Sequence, residues 1–443
     1  MEDGCEYEDV KKITVKLITL GCKTNLYESE AMSALFLKAG YTIVSGKEAA
    51  DIYVINTCTV TGTGAQKSRQ QIRRARRENP NAIVAVCGCL AQTESETLRR
   101  ETGADLLVGN RQRSRIVELT ARAIRGEKGD YVDDIRKETV YEELGITRSQ
   151  SRVRANLKIE DGCNNFCAYC IIPYARGPVR SRSLEKIRQE ARALGETGYG
   201  EVVLTGIQIG AYGRDKKDGV GLIDVIEAVH EADGINRIRL GSLEPVTVTE
   251  DFVRRAAKLP KLCPQFHMSL QSGCDETLRR MRRHYNTAEY RRAAERLRDH
   301  FADAAITTDL MVGFAGETEE EFQKSYDFCG EMQFVKMHIF PYSIRKGTAA
   351  AAFPDQVSEE IKAQRALTMR NLADRMKETF CRAYLGKTLS VLTEQMQGDA
   401  CHGTTANYMD VSVQGEERPG QTVLVRAEDY RDGRLIGTVI EEK

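Results

Sequence analysis

Short apolar runs alternate with longer polar stretches over residues 12–110. KITVKLITL, YTIV, ADIYVIN, NAIVAVCG and ADLLVGN are of strand length and rich in β-branched residues, which predicts strands. ESEAMSALFLKAG and GAQKSRQQIRRARREN read as helices, the second a polar one stopped by Pro80. Strands and helices in turn predict an α/β domain built on a doubly wound parallel sheet. From Arg154 the alternation restarts with ANLKIED, GEVVLTG, RIRLGSLE, QFHMSL, AITTDLMVGF and VKMHIFPY as strands. SLEKIRQEARALGETG and TAEYRRAAERLRDHFA are among the helices between them. Six such β/α units predict a full or partial barrel, with a second open sheet as the alternative that periodicity does not separate. After QRALTMRNLADRMKETFCRAYLG the pattern shortens to KTLSVLTEQ, YMDVSVQ, QTVLVRAEDY and RLIGTVIEE. These alternating strands with Gly and Pro turns predict a small all-β barrel. The expected division is therefore 12–125, a linker over 126–148, 149–378, and 379–443.

A chain of 443 residues has room for about three such domains, each with its own core. Sixty-five basic residues balance sixty-five acidic ones, which excludes a simple polycation. Contact with nucleic acid then rests on local patches. Arg69, Arg73, Arg74, Arg76 and Arg77 make one, and Arg279, Arg280, Arg282 and Arg283 another. Runs of this kind are ordinarily solvated helix faces. The first thirty residues hold no signal-peptide apolar stretch, and no run reaches membrane-spanning length. Thirteen cysteines cannot all pair internally. The expectation is a cytoplasmic protein with reduced thiols available to metals.

Three of those cysteines carry the strongest signal. Cys163, Cys167 and Cys170 stand as C-x3-C-x2-C in EDGCNNFCAYCIIPYARG. A structural zinc site wants four ligands, usually two C-x2-C pairs. Three soft thiolates in one loop suit an iron–sulfur cluster that keeps one iron open. Cys22, Cys58 and Cys89 each follow a predicted strand of the first domain, and so share the carboxyl edge of one sheet, where ligands of open α/β sheets bind. Cys87 falls inside its strand and reads as packing. Cys5, Cys263, Cys274, Cys329, Cys381 and Cys401 show no ligand spacing. GTGAQKS lacks the glycine before lysine that a phosphate loop needs, and reads as a helix start. In the central domain the strands run into TGIQIGAYG, GSLEP, LQSG, VGFAGE and PYSIRKG, the side on which barrel active sites are built. Gly206, Gln208, Ser242, Glu244, Gln271 and Asp309 are the candidates there for holding a polar cofactor. The six histidines are scattered and predict no metal site.

With these residues in view, the chain resembles the radical S-adenosylmethionine methylthiotransferases over nearly its whole length. GCKTN, NTCTV and GCLAQ, around Cys22, Cys58 and Cys89, are similar to that family's N-terminal cluster motifs. DGCNNFCAYCIIPYARG resembles its radical-cluster motif. LQSGCDETLRRMRRHYN, DLMVGFAGETEEEF and HIFPYSIRKGT resemble its central signatures, and the terminal β unit resembles its RNA-associated TRAM domain. The departures are Cys87, Gly241 before Ser242, and Cys274 where serine is common. GCKTNLYESE and RGPVRSRSLEKI are most similar to the branch acting on N6-threonylcarbamoyladenosine of tRNA. Sister branches act on N6-isopentenyladenosine or on a ribosomal-protein aspartate.

The resemblance implies a methylthio group added at C2 of the adenine in the tRNA anticodon loop, with two 4Fe–4S clusters and two S-adenosylmethionines. Cys163, Cys167 and Cys170 would hold the catalytic cluster that cleaves S-adenosylmethionine. Cys22, Cys58 and Cys89 would hold the one carrying the exchangeable sulfur. It also implies an electron donor such as flavodoxin or ferredoxin, while leaving the sulfur source open. A plain iron–sulfur electron carrier and an RNA-binding scaffold with structural zinc are the readings from other classes.

Overall fold

The computed structural model describes residues 12–145, 153–398, 400–415 and 418–440; Cys5 lies outside them. Six parallel strands form the N-terminal sheet, in the spatial order Thr42–Ile43, Thr14–Thr19, Ile52–Thr57, Ile83–Gly88, Leu106–Val108 and Gly129–Tyr131. Ile52–Thr57, at the centre, is buried at every position. Its side chains alternate between two cores, as strand geometry requires. Tyr53 and Ile55 meet Ala65, Ile72 and Ala75 of the helix Gly62–Glu78 on one face. Ile52 and Val54 join Met32, Phe36, Ile116 and Leu119 on the other. This is the doubly wound sheet expected, with the short strand Gly129–Tyr131 added at its edge from within 126–148. GTGAQKS opens a helix: Thr61 Oγ1 accepts from the Gly64 N–H at 3.0 Å as an N-cap.

The second set of strands is also parallel. Arg154–Lys158, Glu201–Thr205 and Arg237–Leu240 pair in that order. Ser242–Leu243, Gln265–Met268, Ala305–Val312 and Lys336–Pro341 continue the series past an interruption at Gly241. Among the described residues the first and last strands do not pair, so the barrel is partial. Its outward side chains, among them Leu157, Val202, Ile238, Phe266, Ile306 and Leu310, pack with the covering helices into the largest core of the protein. By alternation Asn156, Arg239, Gln265, His267, Thr307 and Asp309 belong to the inner face.

The C-terminal strands close into a five-stranded barrel in the order Thr388–Gln397, Ala400–Thr405, Asp410–Gln414, Arg434–Val439 and Thr422–Arg431. Ala400–Thr405, ACHGTT, was not among the predicted strands because it lacks a clear apolar alternation. It pairs on both sides all the same. Among the described residues no helix is long and apolar enough to cross a membrane. The central and C-terminal parts form one compact unit; the N-terminal sheet, with Tyr174–Gly177, forms another.

Buried charge ties the two barrels together. Glu201 is fully buried and pairs with Arg239 at 3.0 Å and with Arg154 at 2.6 Å. Arg239 also donates to the carbonyls of Thr405 and Ala406, at 3.3 and 3.1 Å, in the turn after the strand Ala400–Thr405. The floor of the partial barrel is thus a set of desolvated ions whose last hydrogen bonds are supplied by the C-terminal domain. Glu160, between Ile159 and Asp161, is equally buried, but no ion pair to it is found among the described residues. Its carboxyl accepts from the Gln208 N–H, while Oε2 has no hydrogen-bond partner among the described residues. Burial, opposed by the Gln208 N–H and reinforced by Asp161, pushes Glu160 up to about 8.

Arg239→Ala leaves Glu201 with a smaller share of its cationic partners in a dry floor, and should cost about 3–5 kcal/mol in denaturant unfolding. The double variant Glu201→Gln with Arg239→Met should recover part of that loss. For Glu160, the folded state keeps a proton that the unfolded chain loses above about pH 4.3. The unfolded state then binds fewer protons, so stability falls as pH rises toward about 8 and levels off beyond it. Glu160→Gln should therefore show a shallower fall in melting temperature between pH 5 and 8 than the parent; parallel slopes would refute the assignment.

Candidate active site

Cys163, Cys167 and Cys170 occupy the loop that follows Arg154–Lys158 and Glu160–Asp161. None of the three is in a disulfide; Cys167 is buried and the other two are half-buried. The loop is held by backbone bonds: the Ala168 N–H donates to Met281 O at 2.9 Å, and the Ala168 carbonyl accepts from Ala350 at 2.8 Å. Burial is the main cause pushing the Cys163 thiol up to about 12. The Asn165 N–H opposes the shift, while Cys170, Cys167 and Glu244 add to it. Three thiols in one loop fit a cluster bound by three protein sulfurs, which would need all three deprotonated around a cation.

Polar side chains link two of these sulfurs. Cys163 Sγ donates to Gln208 Oε1 at 3.3 Å, and Gln208 Nε2 donates to Glu244 Oε2 at 2.7 Å. Glu244 Oε1 accepts from Asn165 Nδ2 at 2.7 Å and from Arg283 Nη2 at 2.8 Å. Arg283 Nη1 returns to Cys167 Sγ at 3.2 Å. Gln208 and Glu244 were expected near the thiols; Asn165 and Arg283 were not. Arg283 in particular was expected on a solvated basic face, yet its side chain is 7% exposed and neutralises Glu244. Arg280 is likewise engaged by Glu321, which leaves Arg279 and Arg282 exposed. On the N-terminal helix Arg69, Arg74 and Arg76 pair with Glu94, Glu78 and Asp105, leaving Arg73 and Arg77 exposed. Neither patch is the bare basic surface that its sequence suggests.

The other expected cofactor residues sit at the strand ends or on the inner face. A Cβ at Gly206 would stand 2.3 Å from Glu160 Oε1, so only glycine fits beside that buried carboxyl. Ser242 is exposed and pairs in register with His267. Gln271 is buried at φ +67°, its backbone exchanging hydrogen bonds with Asp309 O and Met311 N at 2.9 Å. Asp309 lies beside His267, with 3.3 Å between Oδ2 and Nε2. The histidines are thus less scattered in space than along the chain, because the sheet register joins strands far apart in sequence.

The first unit gathers the remaining thiols. Cys22 precedes the helix Lys23–Lys38, Cys58 follows Ile52–Thr57, and Cys89 follows Ile83–Gly88, all at one edge of the sheet. Gly88 holds φ +89°, and a Cβ there would come within 2.4 Å of Asn56 Oδ1, so the turn into Cys89 requires glycine. Burial pushes the Cys89 thiol up to about 11; Arg176 opposes this, and Cys22 and Cys58 contribute to it. Arg176 Nε donates to Cys89 Sγ at 3.2 Å, and Nη2 bonds Asn25 at 2.5 Å and Glu28 at 3.1 Å. Glu28 also neutralises the fully buried Arg113. Each thiol triplet therefore has one arginine donating to one of its sulfurs. Cys87 lies in its strand, buried in the core as expected.

Residues 14–109 match an uncharacterized protein family, UPF0004, and residues 157–329 match the radical SAM superfamily. The chain is 40% identical to the threonylcarbamoyladenosine tRNA methylthiotransferase MtaB of Bacillus subtilis (strain 168), over 97% of this chain and 98% of that protein. The enzyme of the same name from Aquifex aeolicus (strain VF5) is 37% identical over 92% and 98%. The tRNA-2-methylthio-N(6)-dimethylallyladenosine synthase of Thermotoga petrophila is 36% identical over 95% and 96%. Among solved structures, the radical S-adenosylmethionine methyltransferase TsrM from Kitasatospora setae shares the fold at a TM-score of 0.57 and 14% identity, over 74% of this chain and 73% of that one. Near-full-length relatives of one activity, a radical SAM segment and the thiol loop within it lead to one conclusion: the chain belongs to the radical S-adenosylmethionine tRNA methylthiotransferases.

Proposed function

We propose that this methylthiotransferase modifies C2 of N6-threonylcarbamoyladenosine in the tRNA anticodon loop. The observation that carries the chemistry is the pair of three-thiol sites, each with an arginine donating to sulfur. A C–H bond at adenine C2 is not acidic, so acid–base side chains do not suffice and a cofactor must supply the hard step. Cys163, Cys167 and Cys170 would hold a 4Fe–4S cluster, whose chemistry there would be the reductive cleavage of S-adenosylmethionine. Around it Arg283 donates to the Cys167 sulfur and neutralises Glu244, while Gln208 bridges Glu244 and Cys163. Gly206, Ser242 and Gln271 are the further positions proposed for holding S-adenosylmethionine. A second cluster on Cys22, Cys58 and Cys89, the one proposed to provide sulfur, would find Arg176 already donating to Cys89.

The choice of base is supported by the relatives in Bacillus subtilis and Aquifex aeolicus, both named for threonylcarbamoyladenosine. The dimethylallyladenosine enzyme of Thermotoga petrophila, at 36% identity, keeps the isopentenyl substrate as the second reading. Mass spectrometry of tRNA nucleosides, from a strain lacking the gene and the same strain complemented, separates them. The methylthio form of threonylcarbamoyladenosine should vanish and return with the gene, and that of isopentenyladenosine should not change. In the complemented strain, Cys163→Ala and Cys58→Ala should each abolish the product, whereas Cys87→Ala should leave it nearly intact. Full activity in either of the first two would sink the ligand assignment.

A further inference from the structure

Two histidines that the chemistry above leaves unused stand with Asp309 on the inner face of the central sheet. His267 lies on Gln265–Met268, Asp309 on Ala305–Val312 and His338 on Lys336–Pro341. Parallel register sets His267 opposite Thr307 and Asp309 opposite His338. One ligand atom from each of the three lies within 4.8 Å of the others. We propose that His267, Asp309 and His338 form a mononuclear site for a divalent cation of borderline softness, Zn2+ or Fe2+.

Two imidazoles and a carboxylate are the donors such ions favour. Metal–ligand bonds of about 2.0–2.2 Å in tetrahedral geometry set neighbouring donors about 3.3 Å apart. His267 Nε2 and Asp309 Oδ2 already stand at 3.3 Å. The remaining closure falls to His338, which is exposed. Three protein ligands leave a further position for water or a substrate oxygen, the arrangement of a reactive rather than a structural metal site.

The surroundings of His267 strengthen the case. Its Nδ1 lies 3.0 Å from Thr307 Oγ1, and Thr307 Oγ1 accepts from Gln265 Nε2 at 3.0 Å. Gln265 Oε1 in turn accepts from Arg239 at 3.4 Å, and Arg239 is fixed by Glu201. A hydroxyl serves either imidazole tautomer. With a metal on Nε2, the Nδ1–H donates to Thr307, the supporting bond that ligating histidines ordinarily make. The ring is therefore held with Nε2 beside Asp309 by a hydrogen-bonded stack rising from the barrel floor. An ordinary His–Asp ion pair would need neither that support nor a second histidine at the same level.

The test reads metal directly and does not depend on the tRNA substrate, so its outcome stands apart from that of the nucleoside experiment. Iron–sulfur-reconstituted protein is dialysed against buffered Zn2+ and analysed for zinc and iron together. One zinc per chain beyond the iron content is expected. His338→Ala, an exposed position that should not disturb folding, and His267→Ala should each drop the zinc to background at wild-type iron content. Thr307→Val should weaken zinc binding about 10- to 100-fold. X-ray absorption at the zinc edge should show only nitrogen and oxygen neighbours, at about 2.0–2.2 Å. Absence of the extra zinc, its retention in both histidine variants, or sulfur neighbours at about 2.3 Å would overturn the proposal.

Discussion

Parallel pairing sends every strand of a sheet toward the same edge, and both thiol sites depend on that constraint. In the first unit the cysteines are 31 or more positions apart in sequence, yet each follows a strand of one parallel sheet. In the second, a compact triplet follows the first strand of a partial barrel, on the side where Gln208 and Glu244 also emerge. Antiparallel order would have sent alternate strand ends to opposite edges and dispersed the dispersed set further. The cores on both faces of the first sheet and on the outer face of the partial barrel keep the strands aligned, so hydrophobic burial indirectly positions the thiols.

Burial then imposes a second requirement. Thiols that are to bind iron must give up their protons, and a dry site resists the resulting charge. The protein places a guanidinium against one sulfur in each set, Arg176 at Cys89 and Arg283 at Cys167. Each arginine is in turn held by a carboxylate, Glu28 or Glu244. The charge balance is therefore spread over layers of side chains, which ties the character of each site to residues that need not touch a metal.

The floor of the partial barrel follows the same logic with a different result. Glu201 and Arg239 are buried together with Arg154 half-buried beside them, and Arg239 completes its hydrogen bonding on carbonyls of the C-terminal barrel. The C-terminal barrel is thus part of the polar network that supports the inner face of the central domain. Above that floor, Gln265 and Thr307 carry the network up to His267.

The order of strands and helices, the closed terminal barrel, the strand-end positions of the cysteines and the packing role of Cys87 were legible in the chain. Each rests on local pattern or short spacing, which a linear sequence records. Ala400–Thr405 was not legible, because its pairing comes from neighbouring strands rather than from its own alternation. The roles of Arg176, Arg283 and Glu160 were equally hidden: a charged residue looks the same in sequence whether it faces water or a buried partner. Only the folded structure turned an apparent basic face at Arg283 into a neutralising contact beside a thiol. Sheet register, which joins positions about 30 to 70 residues apart, likewise brought His267, Asp309 and His338 together. Spacing and strand-end position along the chain singled out the thiols, and tertiary burial decided which charges surround them.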